Sequence, residues 1–374
     1  MSSNQRISLS SGILDLHIRK EAIPWQQVLG FASRRSRKRG FVFVSKVLGK
    51  HYPVRPSRMQ QIHQQLAKQL TGLAHPIVMI AMAETATALG QGVYEEYCRS
   101  FGADETVFLH STRYRLDHQQ VLEFAESHSH ATRHLLYEPQ EPESRELFHR
   151  AKSLVLIDDE ISTGRTLCNL AGAFRKEHSE LEQVRFVSIT DWLTSDRRNA
   201  LQSDIVASLE FANLIQGEFA FTESDTFDPG DIPNVIGKDE CKDRYLQTNY
   251  GRLGYRGTLQ MPPSIPEQTS LKLGSSVLVL GTGEFAFPPY HLALALEEMG
   301  HQVTYQSTTR SPLLVEHDLS CVVEFTDNYH DDMPNYLYNV SPDQYDSVLI
   351  GYETQPLPVA HALPEILNGN PVFF

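Results

Sequence analysis

Leu154-Val155-Leu156-Ile157-Asp158-Asp159-Glu160-Ile161-Ser162-Thr163-Gly164-Arg165-Thr166 is the stretch on which the reading of this 374-residue chain turns. Four consecutive aliphatics suit a strand buried on both faces, which belongs in a parallel sheet covered by helices. That strand delivers two adjacent carboxylates, Asp158 and Asp159, to the C-terminal edge of the sheet, where open α/β sheets bind ligands. Ser162, Thr163, Gly164, Arg165 and Thr166 follow and open directly into a helical stretch ending near residue 177. A helix start offers free backbone N–H groups and the positive end of a dipole, and small hydroxyls add donors, a combination suited to a dianionic phosphate. The carboxylates would repel that phosphate. They fit vicinal sugar hydroxyls, or Mg2+, on the other side of the loop. One loop therefore reads a phosphorylated sugar with free hydroxyls.

Outward from the loop, the same alternation recurs. Residues 76–82, 106–110 and 184–190 read as strands and 87–100 as a helix, while Met59, Ile62, Leu66 and Leu70 share one helical face. Strands alternating with helices predict an α/β fold, a mostly parallel sheet with helices on both faces. Between residues 228 and 276 five prolines and six glycines suit an extended connection. The pattern then restarts, with strands at 276–280, 302–307 and 347–350 and a helix at 290–299. The expected organisation is a first domain over 1–260, a linker over 261–274 and a second, smaller Rossmann-like α/β domain over 275–374.

Bulk properties exclude several classes. With 41% hydrophobic residues the chain can build cores, so disorder is not its main state. The longest apolar run, 77–83, is far short of the ~20 residues of a membrane helix, and residues 1–20 lack a secretory pattern. Cys98, Cys168, Cys241 and Cys321 form no CxxC pair, which suits a reducing cytosol. A net charge of −13 disfavours nucleic acid. A cytoplasmic protein is expected, with neither membrane nor nucleic acid as partner. Arg34, Arg35, Arg37, Lys38 and Arg39 form a basic run that suits either a solvated loop or anion attraction near a site.

The thirteen-residue pattern resembles the signature with which type I phosphoribosyltransferases bind phosphoribosyl pyrophosphate: four hydrophobic residues, two acids, then a Thr-Gly-x-Thr turn. Glu160 departs from it, standing where that family has an aliphatic residue. The resemblance implies a pyrophosphate-binding loop after the earlier strand, where Ala83, Glu84 and Thr85 stand without the family's glycine. It also implies a basic loop in which Arg113 and Arg115 neutralise the leaving group. Residues 41–51 resemble the substrate-side hood of orotate phosphoribosyltransferases, with Lys46 the first choice of cation and Lys50 the second. The whole layout is similar to phosphoribosyltransferases of tellurite-resistance-type bacterial stress operons, whose C-terminal domain takes its name from a motif seen here as Thr309-Arg310-Ser311-Pro312.

That resemblance implies Mg2+-dependent transfer of ribose 5-phosphate to a nitrogenous, base-like acceptor with release of pyrophosphate, yielding a nucleotide-like metabolite. Asp158 and Asp159 would hold the ribose hydroxyls and, largely through substrate, Mg2+; residues 162–166 would hold the 5′-phosphate. Implied partners are phosphoribosyl pyrophosphate, the acceptor, a second copy in a homodimer, and proteins of the same operon. A regulator that binds phosphoribosyl pyrophosphate or nucleotide without turnover is the alternative, motivated by the unusual Glu84 and Glu160.

Two further patterns bear on the site. His128, His130 and His134 cluster between the second and third strands, as a metal site, an exposed loop or a lid excluding water from a reactive sugar. Residues 276–284, 303–310 and 347–353 echo 77–84, 107–113 and 154–160 in the same order. Either any two α/β units would show this, or the chain contains a diverged half-repeat. Gly351 and Tyr352 replace the paired acids in the second copy. It is expected to have lost phosphoribosyl pyrophosphate binding and kept an anion site of its own at Thr309, Arg310 and Ser311. Gly281-Thr282-Gly283 fits a dinucleotide loop poorly, because Pro288 and Pro289 are expected to interrupt the helix that should follow.

Overall fold

Ser153-Leu154-Val155-Leu156-Ile157 is buried along its whole length and lies inside an eight-stranded sheet in the computed structural model of the chain. The structure describes residues 3–36, 39–118, 120–125, 133–205, 207–233, 237–238, 240–246, 250–259 and 271–374. In chain order the first part contains β1 (Ser3–Leu9), β2 (Gly12–Glu21), β3 (Leu29–Ser33), β4 (Phe41–Ser45), α1 (Pro56–Ala67), β5 (Ile77–Ala81), α2 (Thr87–Phe101) and β6 (Thr106–His110). Next come β7 (Gln120–Ala125), β8 (Arg133–Tyr137), α3 (Pro142–His149), β9 (Ser153–Ile157), β10 (Glu160–Ile161), α4 (Arg165–Glu177), β11 (Gln183–Asp191), α5 (Ser195–Asp204) and β12 (Ser208–Glu223). The second part contains β13 (Ser276–Gly281), α6 (Phe287–Glu298), β14 (Gln302–Ser307), β15 (Val322–Thr326), β16 (Pro334–Tyr338), β17 (Ser347–Tyr352), α7 (Leu363–Leu367) and β18 (Asn370–Phe373).

The large sheet runs β1-β2-β12-β11-β9-β5-β6, with β10 beside β11. From β12 to β6 neighbouring strands are parallel, while β1 and β2 close the edge antiparallel. The smaller sheet, β14-β13-β17-β18, is parallel throughout. The fold is thus a parallel-dominated α/β architecture followed by a further α/β unit. Three antiparallel pairs, β3–β4, β7–β8 and β15–β16, stand apart from both sheets.

Two expectations need correction. Pro288 and Pro289 do not interrupt α6; they sit in its first turn, where a missing N–H removes no helical hydrogen bond. Nor is 250–257 mere connection. Tyr255 exchanges backbone hydrogen bonds with Phe108, and His110 N–H donates to Gly251 O at 3.0 Å, so this segment borders β6. Residues 260–270, most of the expected linker, lie outside the described residues. No described helix is long and apolar enough to cross a membrane.

Close helix–sheet approach positions the loop that follows β5. A Cβ added to Gly90 of α2 would lie 2.2 Å from the Ala81 Cβ on β5, and one on Gly92 would lie 2.0 Å from the His63 ring of α1. Exchanging glycine for alanine in a free helix gains up to about 1 kcal/mol, whereas forcing an extra methyl into a packed core costs about 1–3 kcal/mol. At Gly90 the obstacle is a strand, so packing should win. Gly90→Ala is expected to lower the melting temperature, and a raised one would show that α2 lifts off β5 at little cost.

Candidate active site

The end of β9 is held by its neighbour on β11. Asp158 N–H donates to Val187 O at 3.0 Å, and Asp159 O accepts from Ile189 and Thr190 at 3.1 and 3.3 Å. These backbone bonds fix the strand end; both acids are half-buried, and Asp158 Oδ1 accepts the Asp159 N–H at 2.9 Å. Gly164 then turns the chain with φ +66°, and a Cβ there would come within 2.7 Å of Leu201 Cδ1 on α5. Arg197 Nε, also on α5, donates to Thr163 O at 2.8 Å. Arg165 N–H at the start of α4 donates to Thr163 Oγ1 at 3.4 Å, and no acid stands in the helix's first turn, so the positive end of its dipole is not offset there.

The loop after β5 faces this turn. Ala83 N–H donates to Ser111 Oγ at 2.9 Å, and the Ala83–Glu84 peptide is cis. Glu84 is buried, with Oε1 2.8 Å from Lys50 Nζ and Oε2 3.1 Å from Arg310 Nε. Burial pushes its carboxyl upward, but Lys50 and Arg310 outweigh burial and hold it below the usual range. The charge that looked out of place in a pyrophosphate loop is therefore neutralised locally. The same holds for Glu160, whose Oε1 lies 2.8 Å from Arg39 Nη2. Arg39 also covers Phe41, 4.5 Å from the ring centroid.

A single pocket is lined by Ala83, Glu84 and Thr85, by Arg113 and His134, by residues 158–167, and by Arg34, Arg39, Phe43 and His51 from the N-terminal part. Thr309, Arg310 and Ser311 line it too. The expected second-domain anion site is therefore not separate: its three residues belong to the wall of the first site, because the loop after β14 packs against the loop after β5. Lys46 is not brought there, since its Nζ pairs with Asp318 at 2.8 Å; Lys50, the second choice, is the lysine that reaches Glu84. Arg115 is exposed and bridges to Cys241 through the backbone, outside the pocket lining. His134 is a buried wall residue bonded to Ser111 Oγ at 3.1 Å, not part of a lid, whereas His128 and His130 lie outside the described residues. Among the described residues no three or more His, Cys, Asp or Glu side chains gather as metal ligands.

The sequence reading did not single out Phe43 or His51. It did flag the basic run, whose Arg34 and Arg39 reach the pocket wall, the anion-attracting alternative. Phe43 and His51 both lie in the 41–51 stretch, within which only Lys46 and Lys50 are chosen, because the setting of His51 comes from distant segments.

A family model described as phosphoribosyl transferase matches residues 28–218, just over half of the chain. The chain belongs to the phosphoribosyl transferase family. A second model, described as the TRSP domain C-terminal to that transferase, matches residues 261–367. Among solved structures, adenine phosphoribosyltransferase from Rhodothermus marinus shares 14% identity, with 51% of this chain and 95% of that chain covered and a TM-score of 0.33. The Giardia lamblia enzyme complexed with 9-deazaadenine gives 11%, 53%, 98% and 0.34 for the same quantities. Hypoxanthine phosphoribosyltransferase from Staphylococcus aureus gives 16%, 44%, 78% and 0.25. No curated protein matches.

In this phosphoribosyl transferase the pocket histidine has a measurable signature. Burial, then Lys50 and Arg34, push His51 down to about 3. Between its ordinary 6.5 and that value the unfolded chain takes up a proton that the native state refuses, so stability falls as pH falls through this window. His51→Asn should make the decline shallower by up to about 1.4 kcal/mol per pH unit, as read by urea unfolding between about pH 4 and pH 6. An unchanged slope would mean that His51 protonates in the native state.

Proposed function

We propose that this protein transfers ribose 5-phosphate from phosphoribosyl pyrophosphate to a ring nitrogen of a base-like acceptor. The observation that carries the reading is the convergence of Asp158, Asp159, the α4 N-terminus and the loop 83–85 on one pocket. In the reaction the nitrogen lone pair forms a bond to the anomeric carbon, the bond from that carbon to pyrophosphate oxygen breaks, and pyrophosphate leaves with the electron pair. Any proton on the attacking nitrogen passes to solvent or a wall group. Positive charge grows on the ribose ring, so the protein's contribution is positional and electrostatic.

Asp158 and Asp159 accept hydrogen bonds from the ribose hydroxyls, and their charge favours the developing cation. Residues Ser162, Thr163, Gly164, Arg165 and Thr166 hold the 5′-phosphate at the helix start. Arg113 and the backbone of Ala83, Glu84 and Thr85 take the pyrophosphate end. Two adjacent carboxylates without a third ligand suit Mg2+ held mainly by substrate oxygens, which is how this ion is commonly bound. When bound, Mg2+ would neutralise charge on the leaving group; the residues that would share it are Asp158 and Asp159. The binding-only alternative was motivated by the unusual Glu84 and Glu160, and both have cationic partners. The product would be a nucleotide-like metabolite, in keeping with a role in a stress response alongside proteins of the same operon.

Asp158→Asn combined with Asp159→Asn tests the reading. Each lost charge-assisted hydrogen bond is expected to cost about 1.5–3 kcal/mol of sugar binding, and pyrophosphate release from phosphoribosyl pyrophosphate with a panel of bases should vanish. The melting temperature should hold, because backbone hydrogen bonds to β11 anchor this strand end. Full turnover in the double variant would sink the assignment. Thermal stabilisation of the unaltered protein by phosphoribosyl pyrophosphate, with no release for any base, would favour the binding-only alternative.

A further inference from the structure

The two sheets repeat one plan. Strand order β6-β5-β9-β11 in the first corresponds to β14-β13-β17-β18 in the second, and all neighbours in both are parallel. An antiparallel pair stands between the second and third strands of each, β7–β8 and β15–β16. The loops agree bond for bond. Ser111 N–H donates to Ala81 O at 2.9 Å, and Thr308 N–H to Gly281 O at 3.0 Å. Ala83 N–H donates to Ser111 Oγ, and Gly283 N–H to Thr308 Oγ1 at 3.0 Å. Thr112 bridges Leu135, as Thr309 bridges Tyr336. These matches place Glu84 opposite Glu284, and Arg113 opposite Arg310, in the two halves.

The contacts between the halves are reciprocal. Glu84 of the first half takes Arg310 of the second. Glu284 of the second half accepts Arg113 N–H at 2.7 Å and Thr112 Oγ1 at 2.5 Å from the first. Tyr114 and Tyr329 stack between them, centroids 4.2 Å apart. The corresponding helices also meet, with His291 of α6 3.2 Å from Glu95 of α2. The same loop positions therefore meet across the halves, 84 with 310 through a guanidinium and 284 with 113 through a backbone N–H, as two-fold-related surfaces would.

Reciprocity fails at the sites themselves. In the second half the acids are Glu284 and Glu353, and both are taken by Arg252. Its Nη1 and Nη2 lie 2.7 Å from Glu353, its Nε lies 3.2 Å from Glu284, and all three side chains are at most 3% exposed. Lys242, equally buried, pairs with Asp331 at 2.6 Å nearby. Arg252 and Lys242 thus close that site. In the first half the Arg310 guanidinium bonds Glu84 through Nε and Tyr114 through Nη2, while Nη1 makes no hydrogen bond among the described residues and the side chain lines the pocket.

We infer that the C-terminal half occupies the place of a second subunit and contributes Arg310 to the pyrophosphate end of the one open site, its own equivalent being sealed by Arg252. The inference rests on the transferase reading above and goes beyond it in two ways. The site is incomplete without the TRSP loop, and the expected homodimer is replaced by two halves of one chain. Glu84 acts as a positioning residue, holding Arg310 by Nε so that Nη1 faces the ligand.

Titration of pyrophosphate and of ribose 5-phosphate, separately and with Mg2+ present, tests this. Arg310→Gln should weaken pyrophosphate by at least roughly tenfold, about 1.4 kcal/mol, and leave ribose 5-phosphate within about twofold; Arg310→Lys should recover part of the loss, since it keeps the charge but not the fork. Should Arg310→Gln misfold with Glu84 left buried, Glu84→Gln with Arg310→Gln removes both charges and should show the same selective loss. Pyrophosphate binding as in the unaltered protein, in whichever variant folds, overturns the role of Arg310 and leaves the transferase reading standing. If the unaltered protein binds neither ligand, the transferase reading falls and this inference with it. Light scattering should give the single-chain mass, 42.3 kDa; a stable dimer would overturn the substitution of one half for a second subunit.

Discussion

Glu84 is buried between Lys50 and Arg310, and these three side chains come from the N-terminal hood, the first sheet and the second sheet. Buried ion pairs are weak evidence of stability, because desolvation offsets most of the attraction, but removing one partner costs about 3–5 kcal/mol. Such a cluster enforces placement more than it adds stability. Lys50 also donates to Gly283 O at 3.0 Å, and Thr87 Oγ1 donates to Glu284 O at 3.0 Å, so the same region ties the loop after β13 to the loop after β5. The pocket has its shape because these loops are held together.

Charge within the pocket follows from this arrangement. An acidic chain presents a wall of arginines, Arg34, Arg39, Arg113, Arg165 and Arg310, around two unreplaced acids at a strand end. Glu84 and Glu160, the two acids that break the expected pattern, each engage a cation of that wall or beside it. Their effect is to orient guanidinium groups rather than to repel a phosphate. Asp158 and Asp159 line the same pocket, half-buried, at a strand end anchored by backbone bonds to β11.

The stretches around Lys242 and Arg252 have a structural task although they look like punctuation. Three glycines, Gly251, Gly254 and Gly257, mark the second of them as irregular. Irregular backbone can still supply buried cations, and Arg252 and Lys242 pair with buried acids of the second half, Glu284, Glu353 and Asp331.

The sequence by itself determined the local elements and the chemistry of one loop. An aliphatic run between polar turns must become a buried strand, and Asp158-Asp159 followed by Ser162, Thr163 and Gly164 must place acids, then donors, at its end, because these spacings act within one element. It also marked the half-repeat, through strands and loops in the same order. Tertiary structure decided what spacing cannot express: that Lys50 and not Lys46 meets Glu84, that His51 and Arg39 reach the wall, and that Arg310 shares the first site. Each of those outcomes depends on the packing of segments tens to hundreds of residues apart. A side chain's local sequence says which contacts it is able to make, and only the approach of another segment selects one.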